Sequence, residues 1–164
     1  MTDDVVQARC MFAPLGRDAD LLCELLALTR PGGTVAVQEP DTSSWHCFPL
    51  HPAWSRLTEA IARAFAKAGE DINAGQRTYG MLRQANLEDV QTRGTVLALP
   101  GGHPYLRLPI QFATSLRERI LQNALLTEPE LDAAVAACEP IAQDPETLGI
   151  TFVVTQVWGR KPKR

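Results

Sequence analysis

The sequence has no C-x-x-C pair, no apolar run of about 18 residues and no excess of base, and each absence removes a class of protein. The four cysteines, Cys10, Cys23, Cys47 and Cys138, stand far apart and mostly in apolar stretches, where a thiol packs as a small hydrophobe. That spacing writes neither a disulfide scaffold nor a standard metal site, and a reduced, cytoplasmic chain is expected. Acid at Asp3-Asp4 stands where a signal peptide needs base, so neither export nor membrane insertion is expected. With 16 Lys and Arg against 19 Asp and Glu the formal charge is −3, whereas a nucleic-acid protein shows a basic stripe. The basic stretch from Arg160 to Arg164 reads as a solvated end. What remains is 164 residues, 45% hydrophobic and 21% charged, the balance of one soluble globular domain spanning 1–164.

The hydrophobic period then alternates between strand and helix. Residues 4–9 are a short extended run around Val5, Val6 and Ala8. Asp18 caps a helix with Leu21, Leu22, Leu25, Leu26 and Leu28 at three- and four-residue steps, and Arg30-Pro31-Gly32-Gly33 stops it. A β-rich strand over 34–38 follows at once, giving the strand–helix–strand order that builds parallel pairing. Leu57, Ile61 and Phe65 place a helix over 52–68, and a shorter one is expected over about 75–85. Alternation returns over 89–99. Phe112, Leu116 and Ile120 mark a helix over about 109–126, and the capping box Thr127-Glu128-Pro129-Glu130 opens another over about 128–138. A final strand is expected over 150–158. These elements make an α/β domain with a mixed sheet.

In that order the elements resemble the C-terminal half of a class I S-adenosylmethionine-dependent methyltransferase of the small-molecule type. Asp4-Val5-Val6-Gln7-Ala8-Arg9 looks like the family's fourth strand and the turn after it. Leu25 to Pro40, through Arg30-Pro31-Gly32-Gly33 and Glu39-Pro40, looks like the next helix, turn and fifth strand, and Phe152 to Pro162 like the final antiparallel strand. The resemblance implies a partial Rossmann-like fold, with parallel strands, a C-terminal antiparallel strand and helices on the sheet's faces. No strand here is followed by G-x-G-x-x-G, the turn through which the family's first half approaches the cofactor. A chain lacking the first three strands would leave 4–9 as a bare edge, so self-association or an N-terminal half covering that edge is expected.

By the same resemblance, Ala8 and Arg9 would face the methionine part of S-adenosylmethionine. Glu39 and Asp41, at the end of the next strand, are candidates for orienting a small-molecule acceptor or taking its proton, with turn capping the plainer role. His46 and His51 on the following segment are alternative bases. Trp45, Phe48 and Trp54 in the same segment, and Tyr105 and Phe112 further on, would wall a flat or apolar substrate or simply pack the core. The competing reading is an α/β module without turnover that dimerises or binds a protein through its exposed sheet edge.

Overall fold

The computed structural model describes residues 2–163. In chain order its elements are β1 Asp3–Arg9, α1 Phe12–Leu15, α2 Asp18–Leu28, β2 Thr29–Asp41, β3 His46–Phe48, α3 Pro52–Lys67, α4 Gly75–Gln84, β4 Glu88–Thr95, β5 Ala98–Pro100, α5 Leu108–Ser115, α6 Arg117–Gln122, α7 Glu128–Gln143, β6 Leu148–Ile150 and β7 Val153–Arg160. They fall into two compact units. One takes the residues up to Ser43, Glu70–Thr95 and those from Val153 on; the other takes Ser44–Gly69 and Val96–Phe152. No helix among the described residues is long and apolar enough to cross a membrane.

The first unit is α/β with a mixed sheet in the order β1-β2-β7-β4. β1 runs parallel to β2, and β7 is antiparallel to both of its neighbours. Strand alternation sends Val6 and Ala8, Val35 and Val37, and Val157 to one face. There they bury against Leu21, Leu22 and Leu25 of α2 and Leu82 of α4. The i, i+1, i+4 spacing of those three leucines is what turns one stripe of α2 onto the sheet. The opposite face carries Gln7, Thr34, Ala36, Gln38, Gln156 and Trp158 around a shallow concavity. Gln156 donates to Gln38 across it at 3.0 Å.

Two expectations about this unit change. Arg30 to Gly33 does not separate helix from strand: β2 begins at Thr29, and its ladder with β1 jumps from Asp3–Thr29 to Val5–Thr34, so the intervening residues bulge out. Gly32 takes φ 74°, which a side chain would resist. The basic end is not merely solvated. Lys161 donates its ammonium to the carbonyls of Leu26 (2.7 Å) and Thr29 (2.9 Å), closing the C-terminal end of α2 where a cation is favoured, and Arg160 pairs with Asp89.

The second unit packs α3, α5, α6 and α7 with a small antiparallel sheet in the order β3-β6-β5. Its interior holds Trp54, Leu57 and Ile61 of α3 with Ile110, Ile120, Leu131 and Cys138. The expected strand over 150–158 is two strands in two sheets, β6 and β7, and the stretch 89–99 divides likewise into β4 and β5. The division coincides with a contact between residues far apart in sequence. Thr151 donates its N–H to the Leu97 carbonyl and accepts from the Leu97 N–H through Oγ1, so the side chain replaces one ladder bond. The single helix expected over 109–126 breaks at Leu116 (φ −97°, ψ 9°) into α5 and α6. The capping box forms as the residues imply, but α7 continues past 138 to Gln143 and takes Pro140 inside it. Proline there forfeits one helix hydrogen bond, and the chain leaves the helix only at Asp144.

α4 begins directly on the end of β2. A methyl group on Gly75 would come within 2.9 Å of the Pro40 carbonyl, 3.0 Å of the Glu39 carbonyl and 3.0 Å of Thr155 Oγ1. Gly75→Ala should therefore destabilise the chain by about 1–3 kcal/mol, read as a lower urea midpoint. Gly80→Ala, in the same helix with open space around it, should leave the midpoint unchanged or raise it slightly. Equal effects of the two would contradict the close approach.

Candidate functional site

Because β1 and β2 are parallel, their carboxyl ends lie side by side, with Arg9 opposite Gln38. Open α/β sheets offer ligands this edge. Glu39, expected to handle substrate, is wholly buried. Its Oε1 accepts from the N–H groups of Met11 (2.8 Å) and Phe12 (3.0 Å), and Oε2 accepts from Ala13 (3.0 Å). These are the orphan donors at the start of α1, so the carboxylate closes that turn and pins it to β2. Cys10 at φ 50° gives the chain the bend it needs, and its N–H donates to the Gln38 carbonyl at 2.8 Å. Ala8 is fully buried with its methyl in the core, whereas Arg9 is exposed and has no ion-pair partner among the described residues.

Asp41 stands two residues further along β2, at the rim. Burial pushes its carboxyl up, but the Ser43 N–H at 3.0 Å and the Gln76 amide at 2.9 Å outweigh that and hold it below the ordinary carboxylate range. Beside it, Thr42 donates both its N–H (2.7 Å) and its hydroxyl (2.6 Å) to Asn73 Oδ1, and the Asn73 N–H bonds Asp71 Oδ1 at 2.8 Å. Arg77 pairs with both Asp18 and Asp71. The rim is thus a polar belt joining the end of β2 to the segment 71–77. Asn73, Gln76 and Arg77 escape sequence reasoning; the one signal is Asp71-x-Asn73 ahead of Gly75, a spacing that favours a side-chain-capped turn.

The other candidates belong to the second unit. Trp45, 6% exposed, meets Phe112 (5.9 Å between centroids) and Phe152 (5.7 Å) edge to face, and Phe112 in turn meets Phe65 at 6.4 Å. Trp45 and Phe112 therefore share one aromatic cluster. His46 and the exposed Phe48 pack edge to face at 4.9 Å on β3. His51 is the N-cap of α3, its Nδ1 accepting from the Ala53 N–H at 3.2 Å, which leaves Nε2 as the nitrogen open to other partners. Tyr105 is exposed and stacks on His103 at 5.7 Å. Trp45, Trp54, Tyr105, Leu106 and Thr151 line a cavity of about 10 Å³, room for one water, and the Trp54 Nε1 is buried without an acceptor. Among the described residues no three of His, Cys, Asp and Glu group as metal ligands do.

No protein-family model matches this chain, and no curated protein matches its sequence. Among solved structures it is similar to phosphoethanolamine N-methyltransferase 2 from Haemonchus contortus. One such structure, with phosphomonomethylethanolamine and S-adenosylhomocysteine, gives a TM-score of 0.44 at 12% identity; another, with S-adenosyl-L-methionine, gives 0.43 at 15%. Both alignments cover 97% of this chain and 33% of the other, so the chain spans about a third of the length of the structures it matches.

Two measurements check this description. Glu39→Ala strands two buried amides and a part-buried one and should cost about 3 kcal/mol or more, with hydrogen exchange at Met11, Phe12 and Ala13 losing its protection; a loss confined to the noise of the urea midpoint would contradict the clamp. Among the thiols, Cys10 and Cys23 are exposed while Cys47 and Cys138 are buried. Burial, with Cys47 and Glu139 nearby, pushes Cys138 up to about 12, and burial with the Glu39 carboxylate raises Cys10 despite Arg9. A disulfide reagent at pH 8 should modify Cys23 and, more slowly than exposure alone would give, Cys10, with the other two reacting only on unfolding.

Proposed function

We propose that this chain carries the acceptor side of an S-adenosylmethionine-dependent methyl transfer to a small molecule, as the substrate-side half of a complete class I-type enzyme. The supporting observation is the strand layout. Two parallel strands end side by side on Arg9 and on Glu39-Pro40-Asp41, and the last strand of the chain returns antiparallel between β2 and β4. That is the arrangement the sequence resemblance implies.

Methyl transfer asks mainly for alignment of a nucleophilic O, N or C with the sulfonium methyl and for exclusion of water. A methyl carbon–sulfur bond breaks as the acceptor–carbon bond forms, and the acceptor's proton leaves to a base or to solvent. In this reading Arg9, free of an ion pair among the described residues, fits the carboxylate of the cofactor's methionine end. Asp41, ionised at neutral pH and at the rim, orients the acceptor or takes its proton. Glu39 acts through the turn it holds and is a positioning residue. His46 and His51, the alternative bases, and Trp45, Phe48, Tyr105 and Phe112, the aromatic candidates, belong to the second unit. The sequence has no Gly-rich turn to hold the cofactor's far end, so the residues present fit only part of it.

Titration calorimetry with S-adenosylhomocysteine tests the reading. Binding at micromolar to submillimolar ligand, weakened roughly tenfold by Arg9→Glu through loss of a charge-assisted pair, is expected. No heat at millimolar ligand would overturn cofactor binding by this chain alone. That result would favour the second reading, a non-catalytic α/β module, which the open edge of β1 supports.

A further inference from the structure

The first unit's sheet ends at β1, which has β2 on one side and no strand on the other among the described residues. The Cys10 N–H bonds Gln38, and the Asp4 carbonyl lies against Gly33, so the even-numbered residues turn their main chain toward β2. Alternation then aims the N–H and C=O groups of Val5, Gln7 and Arg9, with those of Asp3, outward. Natural edges are blunted by Pro, Lys, a bulge or a covering element. From Val5 to Arg9 this strand has no Pro, no Lys and no bulge, and Val5 is 61% exposed.

We propose that the occupant of this edge is a second copy of the chain, joined β1 to β1 in antiparallel register about a two-fold axis at Val6. The charges select both orientation and register. Acid stands at the start of the strand and base at its end; Asp4 is already paired with Arg30, but neither Asp3 nor Arg9 has an ion-pair partner among the described residues. Antiparallel pairing about Val6 sets Asp3 opposite the partner's Arg9 and Val5 opposite the partner's Gln7, all on the sheet face that no long helix of this unit covers. Each of those residues faces outward, so four residue pairs exchange two bonds apiece, about eight in all. Sliding by two residues puts Arg9 opposite Val5, or Asp3 opposite Gln7, and discards both ion pairs. Sliding by one opposes outward groups to inward ones. Such an isologous joint merges two four-stranded sheets into one of eight strands. The inference does not rest on the methyl-transfer reading; a separate half supplied to complete that fold would compete for this edge.

Sedimentation equilibrium of the full chain, with circular dichroism as the control for folding, tests it. A reversible dimer is expected at roughly 10–100 μM, as a small interface gives. Arg9→Asp sets like charges opposite each other twice and should weaken the dimer roughly tenfold. The charge swap Asp3→Arg with Arg9→Asp should restore it, and Gln7→Pro, which removes an outward N–H, should leave a folded monomer. A wild-type monomer at roughly 100 μM overturns the proposal, as does a dimer indifferent to Gln7→Pro, or a charge swap that fails to rescue a correctly folded Arg9→Asp chain.

Discussion

The first unit depends on one buried carboxylate. Glu39 leaves water entirely, which for an unpartnered charge would be prohibitive. Three main-chain amides of the turn 11–13 meet it, and the negative charge sits at the start of a helix, where the aligned peptide groups favour it. Phe12 and Ala13 bury their side chains in the core beside it, and α1 spans four residues, far too few to stand by themselves. The Ala13 carbonyl then accepts from the Asp71 N–H at 3.0 Å, and Asp71 leads through Asn73 and Arg77 into α4. One side chain at the end of β2 thus organises the end of β1 and, through it, the polar rim. The proposed binding surface inherits its shape from a charge that never reaches it.

The sheet of this unit is unequal on its two faces. Valines, alanines and the leucines of α2 exclude water on one, and that is where the burial of apolar surface stabilises the fold. Glutamines, threonine and Trp158 occupy the other, with the Gln156–Gln38 bond across it. A face so composed tolerates solvent, as antiparallel sheets commonly do. The edge strand differs, because its outward amides have no partner among the described residues.

How far the residues announce this depends on the range of the interaction. The leucine stripe of α2, the capping box at Thr127 and Glu130 and the parallel pairing of 4–9 with 34–38 are local or patterned, and each is legible. The division of 150–158 is not, because it rests on a contact between distant positions, Leu97 with Thr151, and no Pro or Gly marks the break at Leu116. The same holds at the candidate site. Glu39 and Asp41 stand out as acids after a strand, but nothing nearby tells that one is enclosed by three amides 26–28 residues upstream while the other is steadied by Gln76. Ala8 and Arg9 share a turn in the sequence and part company in burial, since alternation sends the methyl inward and leaves the guanidinium in water.

The position of β7 has a bearing on how the sheet closes. β7 is an interior strand, bonded to β2 on one flank and to β4 on the other. β4 joins the sheet only through β7, so β4 and the pair β1–β2 have no ladder bonds in common until β7 lies between them. A two-stranded pair is marginal in water, and the docking of β7 is therefore the step that turns two weak pieces into one four-stranded layer.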